Sequence, residues 1–313
     1  MQLVSPVSSL TMMRRLHLSR QTLNGWQGEK MKKSDSIVRV GRSVIQHGAH
    51  NNRIYVIRLD TGDTERVLQW VNETLGKEGY TKVFAKVPAA EADLFLRDGF
   101  AVEAEIPGFF PDGSACLFLG KYTDPSRRKH DGTSVAETLE ISWQRAGAGN
   151  PPLKEGHLIR EAGVPDAKAL AELYASVFPS YPFPIDDPNF ISDSIEGGET
   201  RFFLLCDAGH LIAASSAELD STSKTVEMTD FATLPAARGA GAAGALLAHM
   251  EAIVKEEGYH LAYTICRGEE PAINILFARG GYRYAGTLPN NTQIGGGFES
   301  MNVWYKHLIS KSL

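Results

Sequence analysis

The residues best suited to chemistry form a glycine-rich turn, Arg238-Gly239-Ala240-Gly241-Ala242-Ala243, between a predicted strand and a predicted amphipathic helix. The first amides of a helix have no partner within the helix, so this turn offers N–H groups and a positive dipole end to a phosphate. Its two glycines let the backbone approach phosphate oxygens closely, and Arg238 adds a permanent charge. A Rossmann site would also need an acid on the next strand, and a P-loop would need Gly-Lys-Ser/Thr; both are missing. The turn therefore predicts a phosphate site, and a flexible Ala/Gly loop is the alternative.

The turn lies in an α/β segment that begins at residue 157. Its predicted elements are a strand at 157–160, a helix from 165, a hairpin at 201–217, a strand at 225–234, a helix at 243–257, a strand at 261–266, a helix at 271–279 and two closing strands. Apolar residues of the helix at 243–257 share one face, and Gly258 ends it. The turn thus stands between a strand and the N-terminus of a long helix.

The first half of the chain repeats this pattern. Predicted elements there are a strand at residues 54–59, a helix at 64–75, a strand at 82–87, a helix at 89–97 and two further strands. The segment LFLRDGFAVEAEIP lies without a gap on LFARGGYRYAGTLP, 182 positions further on. Gly79-Tyr80 matches Gly258-Tyr259 at an offset of 179, and at that offset the glycine-rich turn falls on LDTGDT, where Asp60 and Asp63 would repel a pyrophosphate. We predict that the first half is a pseudo-domain that binds no nucleotide.

Two stretches interrupt the periodic pattern. Residues 1–35 are basic and contain serines but have no signal-peptide core, and they predict a disordered leader. The alternatives are a transit peptide and a translation start assigned too far upstream, with Met31 as the real start. Residues 124–156 carry several prolines and glycines and predict a linker with a short ordered element near 139–143. The predicted domains are therefore a half domain at 36–123 and a larger domain at 157–313.

Composition narrows the choice of partners. The 313 residues are 43% hydrophobic and 22% charged, with a net charge of -5, so the chain has no cationic field to attract nucleic acid or an anionic membrane. Cys116, Cys206 and Cys266 show no metal or disulfide spacing, and no apolar run is long enough to cross a bilayer. We predict a cytoplasmic protein that acts on a small molecule without a metal, and a homodimer is left open.

The C-terminal pattern resembles the GNAT acetyltransferase superfamily. The pyrophosphate loop of that superfamily reads Arg/Gln-x-x-Gly-x-Gly/Ala, and this chain has Arg238-x-x-Gly241-x-Ala243, followed by Phe277-x-x-x-Gly281-Tyr282. Within the superfamily, FPIDDPNF, EMTDFATLP and TLPNNTQIGGGFESMNVWYK look like the β-lysine N-acetyltransferases, as do FAKVPA and IPGFF in the first half. The resemblance implies an α/β GNAT fold with a mixed, mostly antiparallel sheet, preceded by a smaller, degenerate GNAT-like half domain.

The resemblance also implies a reaction. It implies that acetyl passes from acetyl-CoA to the terminal amine of L-β-lysine by direct attack on the thioester, giving Nε-acetyl-β-lysine, a zwitterionic compatible solute. The alternatives are another small amine, such as α-lysine, a polyamine or an aminoglycoside, and a non-catalytic acetyl-CoA sensor. The predicted cofactor-binding residues are Phe231, Ala232, Thr233, Leu234, Arg238, Gly239, Ala240, Gly241, Ala242, Ala243, Asn274 and Phe277.

Two acids on the strand before the turn are the predicted bases. An aliphatic ammonium with a pKa of about 10.4 is neutral in only about one molecule in 10³ at pH 7, so a base or a water chain must remove its proton. Glu227 and Asp230 lie three apart and point to opposite faces of a regular strand, so at most one faces the amine. We slightly prefer Asp230, and a solvated or salt-bridged acid is the alternative for each.

One position departs from the superfamily pattern. A tyrosine often stands four residues before the Gly-aromatic pair and protonates the departing thiolate, but this chain has Phe277 there. A thiol with a pKa of about 8.5 leaves as a thiolate without much help, so the loss is tolerable. Tyr263, Tyr282 and Tyr284 are candidate replacements, and a core role is the alternative for each.

A β-amino acid needs a cation for its carboxylate and acidic or polar groups for its amines. Ordinary turn or surface roles are the alternative for residues of these types. The predicted substrate residues are Asp186, Asp187, Arg267, Arg283, Asn290, Asn291 and Glu299, with Tyr181 and Phe183 beside the first two.

Overall fold

The computed structural model describes residues 35–129, 132–153 and 156–309. The leader predicted for residues 1–35 lies outside these ranges except for its last residue. The strands are β1 (Ser36–Val40), β2 (Ser43–Gly48), β3 (Arg53–Arg58), β4 (Lys82–Pro88), β5 (Ala101–Ile106), β6 (Cys116–Tyr122), β7 (His157–Glu161), β8 (Thr200–Asp207), β9 (His210–Asp220), β10 (Thr225–Thr233), β11 (Leu261–Arg267), β12 (Arg283–Ile294) and β13 (Gly297–His307). The helices are α1 (Thr64–Glu78), α2 (Ala92–Arg97), α3 (Pro125–Arg128), α4 (Gly132–Trp143), α5 (Ala167–Val177), α6 (Pro188–Gly197), α7 (Ala242–Glu256) and α8 (Pro271–Arg279).

The described strands belong to one sheet, in the order β1-β2-β3-β4-β6-β5-β12-β13-β11-β10-β9-β8-β7. Pairing within each half is antiparallel except for β3 with β4 and β10 with β11, which are parallel. The predicted α/β fold with a mixed, mostly antiparallel sheet is therefore confirmed. The halves meet edge to edge where Ala104 of β5 pairs with Gly286 of β12. A Cβ at position 286 would lie 2.1 Å from the carbonyl oxygen of Glu103, so this close approach requires glycine.

The two halves share one topology. The order β3-α1-β4-α2-β5-β6 repeats as β10-α7-β11-α8-β12-β13, and in each half the last strand inserts between the two before it. Phe95 and Phe277 are both 0% exposed, and each packs edge to face on the aromatic residue five positions later. The amides of Phe100 and Tyr282 donate to the carbonyls of Phe95 and Phe277 at 3.1 and 3.0 Å. The gap-free sequence match thus corresponds to the same helix end in three dimensions.

Several elements lie where the sequence predicted no regular structure or only a short piece. β1 and β2 precede Ile54, where apolar periodicity becomes visible. The sequence did not predict these two strands because they are short and mix polar with apolar residues. α6 begins beside the predicted substrate residues 186–187, for which a turn was the alternative; there the Asp187 side chain accepts from the amide of Asn189 at 2.9 Å and caps the helix. α4 extends the short element predicted near 139–143 back towards the N-terminus. It buries Val135 and Leu139 in the core of the second half.

Helices cover both faces of the sheet in the second half. α7 buries Leu246, Met250 and Val254 in the cluster on one face, because its apolar residues recur every three or four positions. α5 and α6 cover the opposite face with Leu170 and Ile191. Side chains of β9 and β10 therefore alternate between two different helical layers.

A third cluster crosses the boundary between the halves. Tyr55, Phe84 and Phe118 of the first half pack with Tyr263 and Val303 of the second. Phe118 is fully buried, and its ring centre lies 6.3 Å from that of Tyr263. Burying such a side chain stabilises the folded state by about 1.5–3 kcal/mol. The two halves therefore stabilise each other through a shared core.

Two further features concern the described residues as a set. None of their helices combines the length and the apolar character needed to span a membrane. Within residues 35–129, 132–153 and 156–309, no three histidine, cysteine, aspartate or glutamate side chains are grouped to hold a metal ion. Cys116, Cys206 and Cys266 are free thiols.

Candidate active site

β10 and β11 separate partway along their length. They pair in parallel only where residues 225–227 of β10 meet residues 261–263 of β11, although β10 continues to Thr233. Beyond this point the edge of β10 that faces β11 has no strand partner among the described residues. The separation opens a gap between two strands that are otherwise neighbours in the sheet.

The predicted cofactor residues 231–234 form one wall of this gap. The amide of Leu234 donates to the carbonyl of Ile212 on β9 at 2.9 Å, so its backbone groups face away from the gap. Because backbone groups alternate in direction along a strand, those of Thr233 and Phe231 face into it. The side chain of Ala232 is buried under α5 and α6. The gap thus presents backbone donors and acceptors that need a partner.

The predicted phosphate turn leads from the gap into α7, whose first residues are Ala242 and Ala243. Gly239 and Gly241 have φ angles of 78° and 83°, in the left-handed region that favours glycine. Arg238 forms no ion pair with any residue that the structure describes, and its side chain is exposed. The turn therefore combines a free guanidinium with the unpaired amides of a helix N-terminus.

In the equivalent turn of the first half, two acidic side chains interact with a neighbouring arginine. The amide of Arg42 donates to Oδ2 of Asp63 at 2.6 Å, and the Arg42 guanidinium lies 2.8 Å from Oδ1 of Asp60. These two carboxylates stand where a phosphate would have to enter. The contrast supports the prediction that only the second half takes a nucleotide cofactor.

Asn274 and Phe277 were predicted to bind the cofactor, but both lie in the core. Asn274 is 0% exposed; its Nδ2 donates to two backbone carbonyls at 2.9 Å, and its Oδ1 accepts from Trp304 Nε1 at 2.9 Å. Phe277 is equally buried and packs edge to face on Phe231. Their burial and contacts give both residues structural roles, and the proposed cofactor site does not include them.

A cavity of about 310 Å³ lies between the two halves and reaches Tyr263, the residue of β11 at which the gap begins. Its walls come from β3 and β4 of the first half and from α6, β8, β9 and β10 of the second. Apolar walls are supplied by Ile57, Phe109, Phe110, Phe183 and Phe190. Its charged lining residues are Arg58, Lys86, Glu199, Glu218, Asp220 and Asp230. The cavity is therefore complete only when both halves are present.

Three acids, Glu218, Glu227 and Asp230, lie on the cavity-facing side of β9 and β10. Glu218 pairs directly across from Glu227, so both side chains share one face. β10 bulges at Asp230, whose φ is 54°, and Oδ2 of this residue accepts from Ser216 Oγ at 2.6 Å. Ser216 lies two residues from Glu218, on the same face. The prediction that Glu227 and Asp230 point to opposite faces is therefore wrong, because the bulge adds one residue to the alternation.

Burial raises the pKa of all three acids. It raises the pKa of Glu218 to about 8, and the charges of Glu227 and Asp230 add to this shift. The Glu218 side chain lines the cavity and is exposed there, while the protein around it and the two neighbouring acids disfavour its charged form. Burial also raises the pKa of Glu227 and of Asp230, against the opposing effects of Lys86 on Glu227 and of Ser216 on Asp230.

Lys86 of β4 enters the same cavity from the first half. Its Nζ donates to the hydroxyl of Tyr263 at 3.0 Å. Burial by itself would lower the pKa of Lys86, but Tyr263, Tyr55 and Glu227 together raise it well above its ordinary value. Burial raises the pKa of Tyr263 well above its ordinary value. Lys86 is therefore a cation held beside the three acids.

The residues predicted to bind the substrate are not among those that line the cavity. The guanidinium of Arg267 pairs with Glu299 at 2.6 Å, and Asn290 Nδ2 donates to the backbone carbonyls of residues 127 and 129 at 2.9 Å. Asp187 caps α6. The others are Asp186, which is exposed, Arg283, which is exposed, and Asn291, which is buried.

The aromatic neighbours of Asp186 and Asp187 do reach the cavity. Phe183 lines it, and the hydroxyl of Tyr181 donates to Oδ1 of Asp230. Sequence reasoning missed the cavity residues Glu218, Lys86 and Arg58. The signal for Glu218 was its place in the strand that pairs with β10, but only the strand register shows that it faces Glu227.

The sequence of this chain matches the model of a known protein family. The model of the Acetyltransferase (GNAT) family matches residues 167–282, which include β10, the glycine-rich turn, α7 and α8. The chain belongs to the GNAT family of acetyltransferases, and it is an enzyme that transfers acetyl groups.

Three relatives align over most of this chain. Beta-lysine N(6)-acetyltransferase of Methanococcus maripaludis is 36% identical over 274 residues, covering 87% of this chain and 98% of that protein. The protein of the same name from Methanosarcina mazei is 37% identical over 270 residues, covering 79% and 98%. N-acetyltransferase YodP of Bacillus subtilis is 30% identical over 267 residues, covering 85% and 96%. Each alignment is long enough to include residues of both halves.

Proposed function

We propose that this protein transfers the acetyl group of acetyl-CoA to the terminal amine of L-β-lysine, giving Nε-acetyl-β-lysine. The observation that carries the proposal is the cavity between the halves, which is lined by acids of the second half and by two cations of the first, Arg58 and Lys86, beside the gap between β10 and β11. The names of two relatives, both beta-lysine N(6)-acetyltransferases, support the choice of acceptor. The product keeps one ammonium and one carboxylate, so it is a zwitterion without net charge, as a compatible solute requires.

In this proposal the gap and the turn bind the cofactor. Acetyl-CoA supplies the acetyl thioester. Backbone groups of Phe231 and Thr233 hydrogen-bond its pantetheine arm, because they face the gap and need partners. The amides at the start of α7 and the Arg238 guanidinium bind its pyrophosphate.

The acids of the cavity receive the amine in this proposal. L-β-lysine carries two ammonium groups. Glu218 and Asp230 in the cavity lining, with Glu227 paired across from Glu218, provide the negative charge that attracts them. The attacking amine must lose a proton, and a carboxylate whose pKa lies near 8 is a stronger base than an ordinary one. We assign the proton to Glu218, with Asp230 and Glu227 holding the ammonium beside it. The neutral amine then attacks the thioester carbon directly. The C–S bond breaks as the amide bond forms, and the CoA sulfur leaves as a thiolate, which takes the second proton that the nitrogen loses.

The direct test is a panel of acceptors with the purified full chain and acetyl-CoA. The panel contains L-β-lysine, L-α-lysine, spermidine and an aminoglycoside, and mass spectrometry with fragmentation locates the acetyl group. We expect the highest kcat/KM with L-β-lysine and acetylation of its terminal amine. Turnover of another amine without L-β-lysine would overturn the acceptor, and cofactor binding without any turnover would overturn catalysis.

A cytoplasmic location is part of this proposal. The three free thiols are compatible with a reducing compartment, where disulfides rarely persist. Fractionation of cells that produce the protein, with blotting of each fraction, tests this location.

A further inference from the structure

We propose that Arg58, in the first half, binds the carboxylate of the substrate, so that the degenerate half determines specificity for amino acids over simple diamines. This inference rests on the proposed function, because it assigns one group of the same acceptor. It gives the first half a role in the reaction although that half has no phosphate turn of its own.

The position of Arg58 follows from the pairing of β2 and β3. Val44 pairs with Arg58 while Ile45 pairs with Val56, so β3 carries one extra residue at Ile57. The bulge interrupts the alternation of side chains, and both Ile57 and Arg58 line the cavity together with Val44. A regular strand would have sent one of the two residues to the opposite face.

A bulge also directs a charged side chain to the cavity in the second half. β3 and β10 are equivalent strands of the repeat, and each has a bulge shortly before its end. The bulge in β10 places Asp230 at the cavity, and the bulge in β3 places Arg58 there. The two halves thus supply opposite charges to one shared cavity, which matches a substrate with ammonium groups and a carboxylate.

Arg58 is also the cation that is available to a ligand. No ion pair or side-chain hydrogen bond of Arg58 occurs within residues 35–129, 132–153 and 156–309. The other cavity cation, Lys86, already donates to Tyr263 and lies close to Glu227. A guanidinium without a partner can bind a carboxylate through two parallel hydrogen bonds, which lysine cannot reproduce.

The test compares an amino acid with its carboxylate-free analogue. For Arg58→Gln we expect KM for L-β-lysine to rise about 10- to 100-fold, because a charge-assisted pair is lost. KM for 1,4-diaminopentane, which has the same two amines without the carboxylate, stays unchanged. Arg58→Lys keeps the charge and gives an intermediate KM for L-β-lysine. Arg66→Gln, an exposed arginine of the same half, is the matched control and leaves both KM values unchanged.

Two results would overturn the assignment. One is an unchanged KM for L-β-lysine in Arg58→Gln. The other is an equal rise for both acceptors, since it would mean that the substitution disturbs the cavity as a whole. If the wild-type protein fails on L-β-lysine, the proposed acceptor falls, and Arg58 is then tested with L-α-lysine against 1,5-diaminopentane. Melting temperatures of all variants establish that each is folded.

Discussion

Asp230 adopts a backbone conformation that few residues other than glycine occupy. Its φ of 54° lies in the left-handed region, where aspartate is tolerated better than most side chains. Hydrogen bonds from Ser216 and Tyr181 hold its carboxylate in place. Such a conformation costs about 1–3 kcal/mol and persists only where its surroundings enforce it. The strained residue places a third acid beside Glu218 and Glu227.

The raised pKa of Glu218 predicts the pH dependence of the reaction. A carboxyl group with a pKa of about 8 is protonated below that pH and accepts a proton only above it. We therefore expect kcat/KM to rise as the pH increases through about 8. In Glu218→Gln this inflection disappears and kcat/KM falls about 10²- to 10⁴-fold. Steady-state kinetics across this pH range measure both effects.

Glu105→Gln is the control for this prediction. Glu105 is an exposed acid on β5, outside the cavity, so its substitution leaves the pH profile unchanged. A Glu218→Gln variant that retains the wild-type inflection would assign the titration to another group.

At the scale of the elements, one strand–turn–helix unit occurs twice with different charges. In the second half the strand β10 separates from β11, and the turn before α7 offers Arg238 without an acidic partner among the described residues. In the first half the turn before α1 holds Asp60 and Asp63 against Arg42. The same geometry therefore presents a free cation in one copy and two acids in the other.

Charge reversal in the turn tests this difference. We expect Arg238→Glu to abolish binding of acetyl-CoA, because a carboxylate then faces the pyrophosphate and a donor is lost. Titration calorimetry measures the affinity, and it should give one cofactor per chain for the wild type. Arg66→Glu, in the first turn of α1, is the matched control and preserves that affinity. Wild-type affinity in Arg238→Glu would argue against the proposed cofactor site.

At the scale of the whole molecule, the repeat is joined into one sheet and one core. β5 and β12 pair at the junction, and the aromatic cluster around Phe118 and Tyr263 contains side chains from both halves. The cavity lies at this junction as well. Loss of packing in the shared cluster should therefore affect both halves together.

Phe118→Ala tests this coupling. Removing a fully buried phenylalanine costs about 3–5 kcal/mol of unfolding free energy, because apolar contacts are lost and a void remains. In calorimetry we expect one cooperative transition for the wild type and one for the variant, at a lower temperature. Val102→Ala, at a side chain that is 49% exposed, serves as the control and changes stability by less than about 0.5 kcal/mol. Two transitions, of which only one moves, would mean that the halves unfold independently.

Local patterns in the sequence were sufficient to predict much of the second half. The order of strands and helices from 157 onwards, the glycine-rich turn and the end of α7 near Gly258 were all visible, because these features depend on residues close together in the chain. The repeat was visible for the same reason, since Phe95 and Gly99 recur as Phe277 and Gly281. Short strands with mixed polarity, such as β1 and β2, were not.

By itself the sequence determined the class of protein, its glycine-rich turn and its two-fold repeat. Only the tertiary structure decided which charged residues line the cavity between the halves. Arg58, Lys86 and Glu218 come from three strands that are far apart in sequence, and two bulges set the direction of Arg58 and Asp230. A bulge depends on the register between paired strands, and the cavity depends on how the halves meet. Neither relationship is a property of any single stretch of residues, which is why the predicted substrate residues lay elsewhere.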